Sequence, residues 1–275
     1  MQVSKKGGFV RIVDSSKTDS HNVSLKDGKF QIKRARDSSD KPLNFSDDRV
    51  KTGIEGLDEV MGGGFEQSSV NIVCGGPGTG KSIFALQFLR NGALDFNEPG
   101  IYITFEESKG KIYKHTKEFG WNLKALEDED KLAVIEYTPE HVKKLLTEGG
   151  GEVDLAVEKI GAKRIVIDSL TAFSLLFKDQ LARMEAFLDL FKLIQRWGCT
   201  ALLVSEDEQD VESHHPSGVE FEVDGIVLLY NIRKGDIRER ALEVLKLRGT
   251  EHSNKIFPMK ITDNGVVVFP EETVF

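Results

Sequence analysis

Two cysteines in 275 residues, Cys74 and Cys199, are too few and too far apart for a disulfide framework. Neither has a second Cys or a His at metal-ligand spacing, which also excludes a zinc site built on them. Both lie in apolar, strand-like runs and read as small buried hydrophobes. The chain lacks any apolar run of membrane-spanning length. Its first residues, Met1-Gln-Val-Ser-Lys-Lys6, lack the apolar centre of a secretory signal. These absences predict a cytoplasmic protein with no membrane contact. No internal repeat is present, so a solenoid is not expected.

What is present is the balance of a globular protein, 39% apolar and 30% charged residues. The net charge of -8 is uneven: residues 1 to 51 carry 12 Lys+Arg against 7 Asp, leaving -13 for the rest. Residues 1–49 read as a basic, partly flexible extension. In it Phe9–Val13 and Lys29–Lys33 alternate like strands and are expected to pair as a hairpin. Polar stretches around Asp14–Ser20 and Asp37–Pro42 favour disorder.

The body, residues 50–275, is organised around Val70-Asn-Ile-Val-Cys74 and the segment Gly75-Gly-Pro-Gly-Thr-Gly-Lys-Ser82 that follows it. This is a buried strand running into a phosphate-binding loop and then, from Ile83, into a helix with apolar spacing. Gly75, Gly76, Gly78 and Gly80 let backbone N–H groups wrap an anion, with Pro77 and Thr79 between them. Lys81 can reach the β- and γ-phosphates of ATP, and the Ser82 hydroxyl can hold Mg²⁺. The first turn of the helix adds unpaired N–H groups and the positive end of its dipole.

After the loop, strand and helix patterns alternate, with strands at Gly100–Phe105, Lys131–Tyr137, Arg164–Asp168 and Thr200–Ser205. The fold class is therefore α/β, with a mostly parallel central sheet flanked by helices. A short amphipathic helix is expected to begin near Val50. Beyond Ser205 the residues to Gly218 form a polar loop. Ile226–Ile232 and Ala241–Leu247 then read as an antiparallel hairpin, followed by two further strands.

Acidic residues at strand ends lie where open α/β sheets bind their ligands. Asp168 is the candidate magnesium ligand. Glu106 and Glu107 close another strand, and one carboxylate could orient the attacking water; Glu107 is the first choice and Glu106 the second. Ser205 and Glu206 end a third strand and could sense the γ-phosphate. Lys246 and Arg248, two apart on a strand, share a face with Leu247 buried opposite. They could stabilise a transferring phosphoryl group or simply form a solvated strand face.

In these ordered segments the chain resembles the KaiC branch of the RecA-type ATPases, from about Val50 to the end. The likeness is carried by Thr52–Asp58, the phosphate loop, Glu98–Glu107, Phe119-Gly-Trp121, Ile165–Ser169 and Leu245–His252. It implies a RecA-like core that assembles as a ring, usually a homohexamer, with ATP at each subunit boundary. It also implies that Lys246, Arg248, Thr250, His252 and Asp263 act on the neighbour's nucleotide, and that Glu106 and Glu107 are the catalytic carboxylates. One domain rather than a tandem gives no clock role. Glu220-Phe221 replaces the phosphorylated Ser-Thr pair of the clock protein, so autophosphorylation there is not expected.

The leading expectation is a Mg²⁺-dependent ATPase ring whose ATP state controls a protein partner. A DNA-binding recombinase relative is the rival, and a scaffold that binds ATP but barely hydrolyses it is a third. The 206–218 loop, with Glu206, Asp207, Glu208, Asp210 and Glu212 and no Lys or Arg, would repel nucleic acid. Any such contact would fall to the basic extension.

Overall fold

The computed structural model describes residues 2–6, 9–13, 20–26, 29–34, 49–149, 151–206, 221–272 and 274. The chain divides into two units, residues 1–47 and 48–275. The first is an antiparallel meander of β1 (Gln2–Lys6), β2 (Phe9–Val13), β3 (Ser20–Lys26) and β4 (Lys29–Arg34). The two strands expected to pair directly are both formed, but Ser20–Lys26 intervenes and pairs with each of them. A chain that can reverse at short connections zips neighbour to neighbour, and the third strand was hidden by its polar residues. The expectations of disorder at 14–19 and 37–42 lie outside the described residues, as does most of the expected 206–218 loop.

The second unit begins with β5 (Arg49–Val50), α1 (Leu57–Val60) and β6 (Phe65–Glu66). The expected helix from Val50 is reduced to one turn. Val50 instead pairs with Phe65, and the backbone N–H groups of Thr52 and Gly53 donate to the Asp58 carboxylate. Gly53 and Gly56 hold φ of 67° and 77°, left-handed values that end any helix before Leu57.

Next come β7 (Val70–Gly75), α2 (Lys81–Asp95), β8 (Gly100–Thr104), α3 (Lys109–Lys117), α4 (Leu123–Asp128) and β9 (Leu132–Glu136). They are followed by α5 (Pro139–Lys144), α6 (Glu152–Ile160), β10 (Arg164–Asp168), α7 (Leu170–Ser174), α8 (Gln180–Trp197) and β11 (Thr200–Glu206). The chain closes with β12 (Gly225–Lys234), β13 (Ile237–Leu247), β14 (Ile256–Thr262) and β15 (Gly265–Val268).

The nine-stranded sheet runs β15-β14-β13-β12-β7-β11-β10-β8-β9. The strands from β12 to β9 are mutually parallel. β13, β14 and β15 add on antiparallel. Alternation along each strand sends residues to two separate cores. Val73, Tyr102, Val166, Leu202 and Val204 pack with α2 on one face. Ile72, Ile103, Ile167, Leu203 and both cysteines pack with α8 on the other. Strands buried on both faces account for the unbroken apolar runs of the sequence.

α2 is buried nearly all round, so it is fixed from several sides. Gln87 exchanges two hydrogen bonds with the backbone of Val266, tying α2 to the outer strand β15. Gln87 lies in the second turn of α2, so the amino-terminal half of the helix is tied to the antiparallel half of the sheet.

Candidate nucleotide site

Gly75–Gly80 leaves β7 at the carboxyl edge of the parallel strands and delivers Lys81 and Ser82 to the first turn of α2. Gly78 and Gly80 have φ of 74° and 103°, which glycine alone adopts without strain. A Cβ at Gly75 would meet the Leu229 carbonyl oxygen at 2.4 Å, and one at Gly80 would meet Ile261 Cδ1 at 2.7 Å. The loop is therefore held close to β12 and β14 as well as to its own strand. Its donors currently satisfy its own carbonyls: Thr79 Oγ1 and Lys81 Nζ donate to Gly76 O at 2.9 and 3.1 Å.

Asp168 ends β10 on the α2 face. The Tyr102 hydroxyl of β8 donates to its Oδ2. Burial raises the Asp168 carboxyl above its ordinary range, opposed by the nearby Tyr102 and Ser82 hydroxyls, while Glu106 raises it further and Lys81 lowers it. Ser82, Asp168, Lys81 and Glu106 are thus electrostatic neighbours. Ser82 and Asp168 offer oxygen donors only, the set a hard dication such as Mg²⁺ takes.

The two glutamates diverge. Beyond β8 the Thr104 hydroxyl accepts from the N–H groups of Glu106 and Glu107 and donates to Glu107 O, turning the chain sharply. Glu106 Oε1 then accepts from Ser169 Oγ at 2.7 Å, beside Asp168. Glu107 Oε1 lies 3.6 Å from His115 Nδ1 on α3, with both side chains well exposed. Glu206, at the end of β11, is level with Gly75 and its N–H donates to Thr171 Oγ1 at 2.8 Å.

Lys246 and Arg248 are not brought to this edge. β13 runs opposite to β7, so Leu242 is level with Gly75 through Leu229, whereas Leu247 is level with Asn71 through Gly225. Four strand residues, about 13 Å, separate the two levels. Lys246 Nζ donates to Val223 O at 2.7 Å, and Arg248 donates to Phe221 O at 2.6 Å and to Asp224 Oδ1 at 3.2 Å. Burial and the neighbouring Arg248 charge lower the Lys246 ammonium pKa, partly opposed by Asp224 and Glu222. Leu247 is buried between them.

Thr250 and His252 continue from that far edge, Thr250 accepting from Arg49 and His252 Nδ1 lying 3.1 Å from Ser253 O. Asp263 stands apart from these four. It occupies the exposed turn between β14 and β15, two residues past the Ile261 that packs on Gly80, and so lies on the phosphate-loop side of the sheet.

Three neighbours of the loop were not foreseen from the sequence. Arg240 Nε of β13 donates to Gly78 O at 3.0 Å, Asn231 stands opposite it across the hairpin, and Tyr102 holds Asp168. The signal for Tyr102 was available, because a tyrosine in the otherwise aliphatic strand Gly-Ile-Tyr-Ile-Thr needs a buried partner for its hydroxyl. Arg240 gave none, since an alternating hairpin of charges looks the same whether solvated or turned onto a loop.

A parallel α/β sheet with a phosphate loop at its carboxyl edge and an acidic strand end beside it defines a P-loop nucleotide-binding protein. The family model described as "ATPase: KaiC" matches residues 50–273, and the chain belongs to that family of ATPases. A UPF0273 protein of Methanocaldococcus jannaschii is 39% identical, the match covering 82% of this chain and 98% of its relative. The circadian clock oscillator protein KaiC of Synechococcus elongatus is 36% identical over 81% of this chain. That match spans only 44% of the clock protein. Among solved structures, a KaiC-like protein of Pyrococcus horikoshii superposes with a TM-score of 0.72 at 34% identity, covering 81% of this chain and 99% of its own. The RecA-like fold, mostly parallel with an antiparallel carboxyl-terminal region, is thus shared with a single-domain relative. No helix among the described residues is long and apolar enough to cross a membrane.

Proposed function

We propose that the chain is a Mg²⁺-dependent ATP hydrolase that works as a ring of identical copies. Each nucleotide is held by the 75–82 loop of one copy and closed by Lys246 and Arg248 of the next. The observation that carries this reading is the position of those two cations at the far edge of β13, about 13 Å below the level of their own loop. At that level the two cations are out of reach of their own copy's phosphates, which supports a role at another's.

In this reading the loop N–H groups and Lys81 bind the phosphates, and Ser82 with Asp168 hold the magnesium ion. The ion, when bound, neutralises charge on the β- and γ-phosphate oxygens. Glu107 orients a water whose oxygen attacks the γ-phosphorus while the bond to the bridging oxygen of ADP breaks. Arg248 and Lys246 of the adjoining copy stabilise the charge spread over the departing phosphoryl group, an effect of roughly 10³ to 10⁵ in rate where an arginine is supplied in this way. Thr250 and His252 belong with that far edge. Asp263 is better placed to contact the nucleotide of its own subunit. The ATP state of the ring would control a protein partner, with no membrane involved.

The test is a mixing experiment. Lys81→Ala and Arg248→Ala subunits are each inactive alone. Mixed into common rings they should regain part of the activity, because a site formed by an intact loop and a neighbour's intact Arg248 reappears. No recovery in rings shown to be mixed would exclude action on a neighbour.

A further inference from the structure

We infer that Tyr102 is a positioning residue for the metal at this site: its buried hydroxyl clamps one oxygen of Asp168 so that the other faces the ion. The inference rests on the reading of Asp168 as a magnesium ligand. It adds a residue with no place among the loop, the paired glutamates and the cations.

The geometry follows from the sheet. β8 and β10 are parallel neighbours in which Tyr102 is level with Val166, and Asp168 is level with Thr104. Tyr102 and Asp168 share the α2 face, the carboxylate being two residues nearer the loop on the adjoining strand. A tyrosine is long enough to bridge that diagonal, and its hydroxyl donates to Asp168 Oδ2. The ring is 2% exposed, held within the α2-side core, so it has little freedom to follow a moving carboxylate. The Ser82 hydroxyl lies near enough to both groups to act on their charge, so phenol, carboxylate and the proposed metal-binding hydroxyl are grouped together.

The phenol is the donor that holds the Asp168 carboxylate in place. A phenylalanine at position 102 would fill the same core volume but leave Oδ2 without that donor, so the carboxylate could rotate or hydrate. Hydrogen-bond partners of metal-binding carboxylates typically contribute 10- to 100-fold in metal affinity.

The experiment compares wild type, Tyr102→Phe and Asp168→Ala. Mn²⁺ is titrated into each protein with a non-hydrolysable ATP analogue bound, and bound ion is read by electron paramagnetic resonance. Analogue affinity in EDTA and the thermal midpoint are measured alongside. The expected result for Tyr102→Phe is a metal dissociation constant raised about 10- to 100-fold, unchanged analogue affinity in EDTA, and recovery at high metal concentration. A Tyr102→Phe curve that overlays wild type, while Asp168→Ala loses the ion, overturns the role of Tyr102 and leaves Asp168 in place. A wild-type curve matched by Asp168→Ala removes the reading of Asp168, and the inference with it.

Discussion

Arg240 Nε donates to the carbonyl oxygen of Gly78, 3.0 Å away, so one strand of the outer hairpin grips the middle of the phosphate loop. The same strand ends at Leu247, between the two cations proposed to serve the next subunit. One rigid element thus touches its own nucleotide site near one end and, in the proposed ring, the neighbour's at the other.

Arg240→Ala should loosen the loop without removing any group from the phosphates' expected path. A hydrogen bond of this kind contributes on the order of 1 kcal/mol, which converts to about a five-fold effect. The expected outcome is an ATP dissociation constant raised roughly three- to ten-fold, with the single-turnover hydrolysis rate at saturating ATP little changed. Calorimetric titration together with single-turnover measurement checks it. A loss confined to the rate would instead make Arg240 a transition-state contact.

Glu106 and Glu107 differ in how free they are to move. Glu106 is held by Ser169 Oγ at 2.7 Å, whereas Glu107 meets an exposed histidine at 3.6 Å, a weak pairing that costs little to break. Glu107→Gln should therefore bind ATP normally and turn it over at least about 100-fold more slowly, within the range for loss of a general base. Glu106→Gln keeps an acceptor for Ser169 and should lose less. Phosphate release by both variants at saturating ATP decides between them. The larger loss in Glu106→Gln would transfer the role to the inner carboxylate.

The sheet, the loop and the acidic strand ends were legible in the sequence because each rests on a local pattern: apolar runs, glycines at fixed offsets, an acid after three apolar residues. The antiparallel hairpin was legible too. That β12 joins β7 in parallel was not, since strand order is decided by contacts between segments about 150 residues apart. Likewise the spacing of Lys246 and Arg248 predicted one shared face but not which edge of the sheet it occupies. Tyr102 and Arg240 escaped notice because what distinguishes them is the partner, which only the register supplies.

Arg164 at the start of β10 is fully buried, an expensive place for a guanidinium. Its Nε donates to Glu98 at 2.7 Å, its other nitrogens donate to Phe88 O and Lys51 O at 2.7 Å each, and it lies over the Phe88 ring at 4.5 Å. The space for it is made by Gly92 of α2, where a Cβ would meet Arg164 Cδ and Nε at 2.5 Å. In an ordinary helix interior, Gly→Ala gains about 1 kcal/mol from propensity. Here the added carbon must push a residue fixed by three hydrogen bonds, and overpacking costs about 1–3 kcal/mol before any of those bonds is lost. Gly92→Ala should therefore destabilise the protein in urea unfolding, by ~0–2 kcal/mol net of its helix propensity and by about 1 kcal/mol more for each of those bonds that is lost. Arg164→Met should also destabilise it, by taking the donors from the Lys51 carbonyl and the cation from Glu98. In the double variant, however, the alanine meets a flexible thioether chain instead of a fixed guanidinium, so the combined loss should fall short of the sum of the two single losses. Strict additivity would show that Gly92 is not there to accommodate Arg164.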